Sequence, residues 1–542
     1  MNTKHEIPAC EVCRQPASQT CGGCKLVYYC SKAHQKLAWK EGHKSKCGAF
    51  KIQYSDALGR HMVATRDIKQ GEIILKEKPA VSGPRITCPV HCLSCGKKLG
   101  PIQNDELDFY KCSICNWPMC DVNCEKGDVH QEECKLMAKK NYKCNIKYER
   151  PDKLEAAYCV IAPLRVLLMK TTNPKLFENI MNLESHLEDR INTPLYQVLK
   201  ANLVAFVTQV LGLSFDEETI LKVASIFDTN SFDVRSPDGS KRLRAIYVTA
   251  AMMNHNCKPN TRHIYLDDNN LALIATVPIL KGDMIYATYT QTLFGTLDRR
   301  RQLKTTKCFD CECERCKDPT EFGTYLGNIY CTICNNSSID PNSPKDAMLV
   351  STNSLDETAM WQCEKCGYYI QSRQMIWGNN ALKEELGKLD KTGPTGFEEF
   401  IKMYSSTLHS TNHLVIQAKL ALMQIYGNYK GYTLTELSDE LLKRKVDLCL
   451  ELLDIAEKLD PGWTRFRGTI LLELQAAMMV QTKREFEEEK LTKEGAQVSK
   501  ISVIQINISH LDHKLIDWVN LPLYNIHLVK FMFIGLQTAE HF

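Results

Sequence analysis

Long apolar runs are missing from this chain. No stretch approaches the roughly 18 apolar residues that a spanning helix needs, and the most apolar tail, Phe531 to Leu536, falls far short of that. The opening MNTKHEIPAC carries no apolar h-region, so no secretory signal is expected and nothing assigns the chain to an oxidising compartment. An excess of one charge is missing too. Sixty-eight Lys and Arg stand against 64 Asp and Glu, a formal +4, which is weak for a dominant nucleic-acid surface.

What the chain does have is 26 cysteines in 542 residues, mostly as C-x2-C pairs. In a cytosolic or nuclear protein that usage points to zinc rather than disulfides, and the length suggests three or four domains. Cys10 and Cys13, Cys21 and Cys24, Cys30 and His34, and His43 and Cys47 supply eight ligands. Zinc takes four N or S ligands in a tetrahedron, so these make two complete sites. A helix from Cys30 to Cys47 would put both x3 pairs on one face. The lysines Lys32, Lys36, Lys40, Lys44 and Lys46 read as its solvated side.

The plan repeats with a longer first gap in Cys92 and Cys95, Cys112 and Cys115, Cys120 and Cys124, and His130 and Cys134. Cys88, His91 and Cys144 have no obvious partners and read as structural. Cys311, Cys313 and Cys316, in a C-x-C-x2-C pattern, offer three thiolates where zinc needs four. Cys331, Cys334, Cys363 and Cys366 form a ribbon pattern around a polar loop from Asn335 to Asp356.

Between the metal motifs the periodicity alternates. Gly59 to Ile74 reads as strands around a Lys69-Gln70-Gly71-Glu72 turn. Leu154 to Met169, Pro174 to Leu187, Pro194 to Leu213 and Asp216 to Phe227 carry helical spacing. Ile274 to Val277 and Ile285 to Tyr289 read as strands around a Lys281-Gly282-Asp283 turn. Beyond Ala381 the chain turns helical, notably over Leu434 to Leu459 and Gly468 to Gln481, with Gly462-Trp463 between them. Thr482 to Gln497 is a charged helix, and the pattern is lost from Val498.

The stretch Asn254-His255-Asn256-Cys257-Lys258-Pro259-Asn260 resembles the N-H-x-C-x-P-N signature of SET-domain protein lysine methyltransferases. The first fifty residues, with Tyr28-Tyr29-Cys30-Ser31 and the Trp39, His43, Cys47 tail, resemble a MYND finger. One finger at the N-terminus and a second set of ligands inside the split domain resemble the SET and MYND domain-containing family in its arthropod SmydA-like branch.

The resemblance implies interleaved zinc sites, in which ligand pairs one and three share one metal and pairs two and four share the other. It implies that Cys257 completes the three-thiolate site of Cys311, Cys313 and Cys316. It implies Tyr289 as the catalytic residue, and Arg60, Asn230, Asn254, His255, Tyr289 and Phe309 as contacts of S-adenosylmethionine. His61 replaces the second glycine of the family's G-x-G, Asn256 replaces a serine, and Asp283 and Met284 replace two acids.

The expected fold is a multidomain α+β chain. Its parts are a MYND finger (1–50), the first part of a β-rich SET domain (51–87), an inserted zinc module (88–144) and a helical insert (145–244). Then come the SET core (245–307), a post-SET zinc segment (308–320), a zinc ribbon (321–378) and a helical, tetratricopeptide-like domain (379–542). The implied activity is protein-lysine N-methylation, on histones or other proteins, in transcriptional regulation; the alternative is an inactive scaffold for co-regulators. Expected cofactors are structural zinc and S-adenosylmethionine. Expected partners are lysine-bearing proteins, histone tails among them, and proline-rich or co-regulator proteins at the finger, with no membrane and no direct nucleic-acid contact. The expected location is the nucleus, the cytoplasm or both.

Overall fold

The computed structural model describes residues 9–22, 27–44, 47–100, 109–147, 149–150, 152–236, 239–336 and 347–487. Cys24, Lys46, the part of the expected charged helix beyond 487 and the tail from Val498 lie outside them. No described helix is long and apolar enough to cross a membrane.

The N-terminal finger is a two-stranded ribbon, β1 (Gln19–Thr20) and β2 (Tyr28–Tyr29), followed by the helix Lys32–Ala38. Ser31 caps that helix by accepting from the His34 N–H. The helix does not run unbroken to Cys47, as its spacing suggests. Gly42, at φ +123°, breaks it, so the two x3 ligand pairs leave from separate turns.

The SET domain opens with the hairpin β3 (Phe50–Ser55) and β4 (Gly59–Ala64), then β5 (Ile73–Glu77) and β6 (Val81–Gly83). The chain leaves the sheet after β6 and returns in β7 (Phe232–Arg235) and β8 (Arg242–Ile246). β8 lies between β6 and β7, with Val81 opposite Ile246. Everything between β6 and β7 is therefore an excursion from one sheet. The helical insert accordingly ends at Asn230 rather than 244, because Val234, Leu243 and Ala245 are buried strand residues.

Within the excursion, helices Ile161–Thr172 and Glu217–Asn230 each carry a dense run of buried apolar residues. Buried Arg165 fastens the inserted zinc module to this frame. Its guanidinium donates to Ser82 O of β6 at 2.7 Å, to Leu93 O at 3.1 Å and to Glu133 at 2.9 Å. Among the residues without metal partners, the His91 backbone exchanges hydrogen bonds with Tyr158 OH, and burial pushes the Cys88 thiol up to about 12.

The core resumes with β9 (Asn254–His255), β10 (Thr261–Tyr265), β11 (Leu271–Ala275) and β12 (Tyr286–Ala287). β10, β11 and β5 form an antiparallel sheet, while β9 and β12 pair in parallel. Strand β11 begins before the expected Ile274, since all five of its residues are buried. Met62, Ala64, Leu75, Leu271, Leu273 and Ile285 share the core beneath.

The ribbon is a four-stranded antiparallel sheet: β13 (Ile329–Tyr330), β14 (Met348–Ser351), β15 (Trp361–Cys363) and β16 (Tyr369–Ile370). β14 falls within the segment expected as a polar loop, where Met348 and Leu349 are buried. Helical structure then begins at Ser372 with the helix Ser372–Lys388, so the boundary expected at 379 lies inside it. Helices Thr395–Met403, His413–Asn428, Asp439–Leu459 and Arg465–Glu487 follow.

The helical domain is docked on the SET core by the turn between its last two helices. Trp463 N donates to Thr276 O at 2.9 Å, Asp460 pairs with Arg262, and the Trp463 ring lies against Gly71. Gly462 sits at φ +81°, and a Cβ there would come within 1.9 Å of Thr276 O. Gly462→Val adds left-handed strain to that clash. It should lower stability by about 2–4 kcal/mol and free the helical domain to a protease, read by denaturant unfolding and limited proteolysis of the full chain.

Candidate active site

Five sets of four ligand atoms converge, each within 4.8 Å of one another: Cys10, Cys13, Cys30 and His34; Cys92, Cys95, Cys120 and Cys124; Cys112, Cys115, His130 and Cys134; Cys257, Cys311, Cys313 and Cys316; and Cys331, Cys334, Cys363 and Cys366. Cys21 also lies 3.5 Å from Cys47 Sγ and 3.2 Å from His43 Nε2. Those three are the described members of the remaining set expected in the first finger. Thiolate and imidazole donors in fours are the donor set of structural zinc.

His130 shows how such a ligand is oriented. Its Nε2 faces Cys115 Sγ at 3.2 Å, and its Nδ1 faces Glu133 at 3.2 Å. Burial alone would raise the Glu133 carboxyl, but Arg165 and His130 hold it down at about 2.

The Cys257 set lies at the centre of the site. Cys257 is fully buried, with its sulfur 3.6 Å from Cys316 and 4.0 Å from Cys311. Hydrogen bonds from Cys311, Cys313 and Cys316 hold it as the thiolate, well below the ordinary cysteine range. Arg299 and Arg315, both buried, pack on this cluster. Arg299 Nε donates to Cys257 Sγ at 3.3 Å, Arg315 Nη1 donates to Cys257 O at 3.2 Å, and both share the Glu321 carboxylate. Against the cost of burial, the two guanidiniums keep Glu321 below the usual carboxylate range.

His255 carries the cluster's geometry into the site. Its Nδ1 accepts the Tyr289 N–H at 3.0 Å, so the ring proton sits on Nε2, which faces Cys257 Sγ at 3.2 Å. Asn260 clasps the neighbouring segment: its Nδ2 donates to Met284 O and its Oδ1 accepts from Tyr286 N, each at 2.8 Å. The loop is thus pinned beneath residues 284–289. The Tyr289 hydroxyl donates to Met253 O, and its ring lies 5.3 Å from His255, which in turn lies 5.9 Å from Phe309. Burial raises the Tyr289 hydroxyl above its ordinary range.

The remaining expected residues surround this point. Asn254 Nδ2 donates to Leu58 O at 3.0 Å, joining the loop to the β3–β4 turn. Arg60 donates to Asn182 O at 2.5 Å, and Asn230 donates to Glu184 O at 2.7 Å and to Ile226 O at 2.8 Å. Arg60 and Asn230 therefore meet over one turn of the insert. His61 is 7% exposed, with Nδ1 2.9 Å from Gly59 O. Asn256 Oδ1 accepts from Lys258 N at 2.9 Å, a local turn.

Sequence reasoning passed over Lys307. At the end of the helix Thr296–Lys307, its amine donates to Thr229 O at 2.6 Å and lies 5.6 Å from the centre of the Tyr289 ring. A lysine in a last helical turn ordinarily reads as a solvated partner of the helix dipole.

The matched family models agree with this layout, covering a MYND finger over residues 10–47 and a SET domain over 59–290. A MYND finger joined to a SET domain defines the class. The chain carries both and is similar to SET and MYND domain-containing proteins, the SmydA-like branch among them. The SET domain-containing protein SmydA-8, isoform A, of Drosophila melanogaster is 26% identical over 437 residues, covering 78% of this chain and 87% of that one. Human N-lysine methyltransferase SMYD2 is 26% identical over 213 residues, covering 38% and 47%. Arabidopsis thaliana histone-lysine N-methyltransferase ASHR1 is 27% identical over 271 residues, covering 48% and 53%.

Because Cys257 joins two segments that otherwise lie apart, Cys257→Ser should remove one zinc per chain. It should also open residues 308–317 to proteolysis while the ribbon keeps its metal, read by metal analysis and peptide mapping.

Proposed function

We propose that this chain is a protein-lysine N-methyltransferase using S-adenosylmethionine, acting on histone or other protein lysines in transcriptional regulation. The observation that carries the reading is Tyr289, a buried tyrosine whose hydroxyl is fixed on Met253 O and whose backbone is fixed on His255. Relatives named for histone-lysine and N-lysine methylation support the substrate class.

The surrounding donors fit the cofactor. Asn230 and Asn254 have their amide nitrogens engaged, which leaves both Oδ1 atoms to accept from its ammonium. Arg60 spends one nitrogen on Asn182 O and keeps the rest of its fork for a carboxylate. Phe309 supplies an aromatic face beside His255. When bound, S-adenosylmethionine supplies an electrophilic methyl group.

This chain's own part is orientation and desolvation. A lysine attacks only as the neutral amine, and burial of its side chain beside Tyr289 and Phe309, both packed on the Cys257 cluster, disfavours the ammonium by desolvation. The Tyr289 hydroxyl, held by Met253 O, orients the incoming nitrogen. Alignment supplies much of the acceleration available to such a displacement. The zinc ions take no part in the transfer; they hold the loop that holds Tyr289.

The fingers support the partner reading, with the first recruiting proline-rich or co-regulator proteins. The location proposed is the nucleus, the cytoplasm or both, without direct contact with nucleic acid. A scaffold reading is favoured by one feature, the buried His61 imidazole beside Gly59.

Calorimetry with S-adenosylmethionine and labelled-methyl transfer to histones or lysate proteins test the proposal. Tyr289→Phe should cut transfer about 10²- to 10³-fold while cofactor affinity stays within about threefold. Absence of binding at millimolar cofactor leaves the scaffold.

A further inference from the structure

Outside the residues already assigned, Lys307 brings a nucleophile to the site. Lys307 is half-buried, and its amine lies between the Tyr289 ring, at 5.6 Å from its centre, and two backbone carbonyls at the end of helix Glu217–Asn230. Thr229 O is 2.6 Å from the amine and Asp228 O is 3.3 Å from it. The next residue is Asn230, read above as a cofactor contact. The amine therefore sits between the residue read as catalytic and a residue read as cofactor-binding. Helix Thr296–Lys307 ends there, with Cys308 in a left-handed turn at φ +59°, so the backbone delivers the side chain into the site.

We propose that Lys307 is a self-methylation site, the lysine that this chain's own active site reaches first. The inference rests on the methyltransferase reading above. The surroundings suit the chemistry. The aromatic face and carbonyls hold an amine in either protonation state, and a methylated ammonium keeps its attraction to the Tyr289 ring. Burial, aided by nearby Arg190, lowers the amine to about 8, so a substantial share is neutral near pH 7.5. In the transfer the Lys307 nitrogen lone pair forms the N–CH₃ bond. The sulfonium C–S bond breaks with its electron pair going to sulfur, leaving the thioether S-adenosylhomocysteine. The new ammonium gives a proton to solvent.

The test uses the full chain with methyl-labelled S-adenosylmethionine and mass spectrometry of the Lys307 peptide. Label is expected at Lys307, with a half-time unchanged over a tenfold dilution of protein and at least a tenfold loss in Tyr289→Phe. Label on added proteins but none at Lys307 overturns the inference and leaves the methyltransferase reading standing. So does labelling of Lys307 whose rate scales with protein concentration.

Binding gives a readout without turnover. At pH 6.5 the Lys307 ammonium faces a cationic sulfonium but a neutral thioether. In Lys307→Met, affinity for S-adenosylmethionine relative to S-adenosylhomocysteine should rise at least threefold. If the chain binds cofactor yet labels nothing, the self-methylation inference fails whatever the ratio, and an unchanged ratio also overturns the placement of the amine beside the cofactor. If neither cofactor binds, the methyltransferase reading fails first and the inference with it.

Discussion

The organisation of this chain hangs on the tie from Cys257 to Cys311, Cys313 and Cys316. A tetrathiolate zinc centre carries two net negative charges, and burying them without compensation is prohibitive. Arg299 and Arg315 supply the compensation from within the same fold, one on the Cys257 sulfur and one on its carbonyl. Their shared Glu321 keeps the pair from repelling. The metal site and the ion cluster are one construction. Removing an arginine leaves buried thiolate charge, and removing a thiolate leaves buried guanidinium.

From that tie the constraint passes to the chemistry in two short steps. His255 bridges the Cys257 sulfur and the Tyr289 amide, and Tyr289 in turn binds Met253 O, just before the same loop. The loop is also held from behind, since Glu77 accepts from Thr249 N at 2.8 Å and from Ala250 N at 2.9 Å. Asn260 fixes its far end on residues 284 and 286. A loop restrained at three points and braced by metal can hold a hydroxyl where a short strand pair, β9 with β12, could not.

The metal ligands were legible in the sequence because coordination dictates both residue type and spacing. Cys92 through Cys134 group as the interleaved pattern requires. Where local spacing competes with a backbone conformation, reading by period fails. Gly42 breaks a helix that the ligand spacing alone would have continued. Strand β8 was hidden in a helical stretch because one of its pairing partners, β6, lies about 160 residues earlier in the chain, and β7 is held in the sheet only through β8. Strand β14 was hidden in a loop whose composition is polar on average. Lys307 was illegible for another reason: only tertiary packing separates a lysine against Tyr289 from one in solvent.

His61, the departure that weighs most against catalysis, can be divided into two physical questions. A G-x-G turn uses glycine both for backbone conformation and for the absent side chain. Here the conformational demand falls on Gly59, at φ +62°, while His61 lies in ordinary extended strand opposite Gln53. Replacing the second glycine therefore costs the backbone nothing. Strand alternation sends Met62 and Ala64 into the core, which places His61 on the opposite face, where its ring is held by Gly59 O. The turn that presents Leu58 O to Asn254 is kept intact. The substitution then adds the volume of one imidazole, and the Asn254–Leu58, His255–Cys257 and Tyr289–Met253 contacts form in its presence.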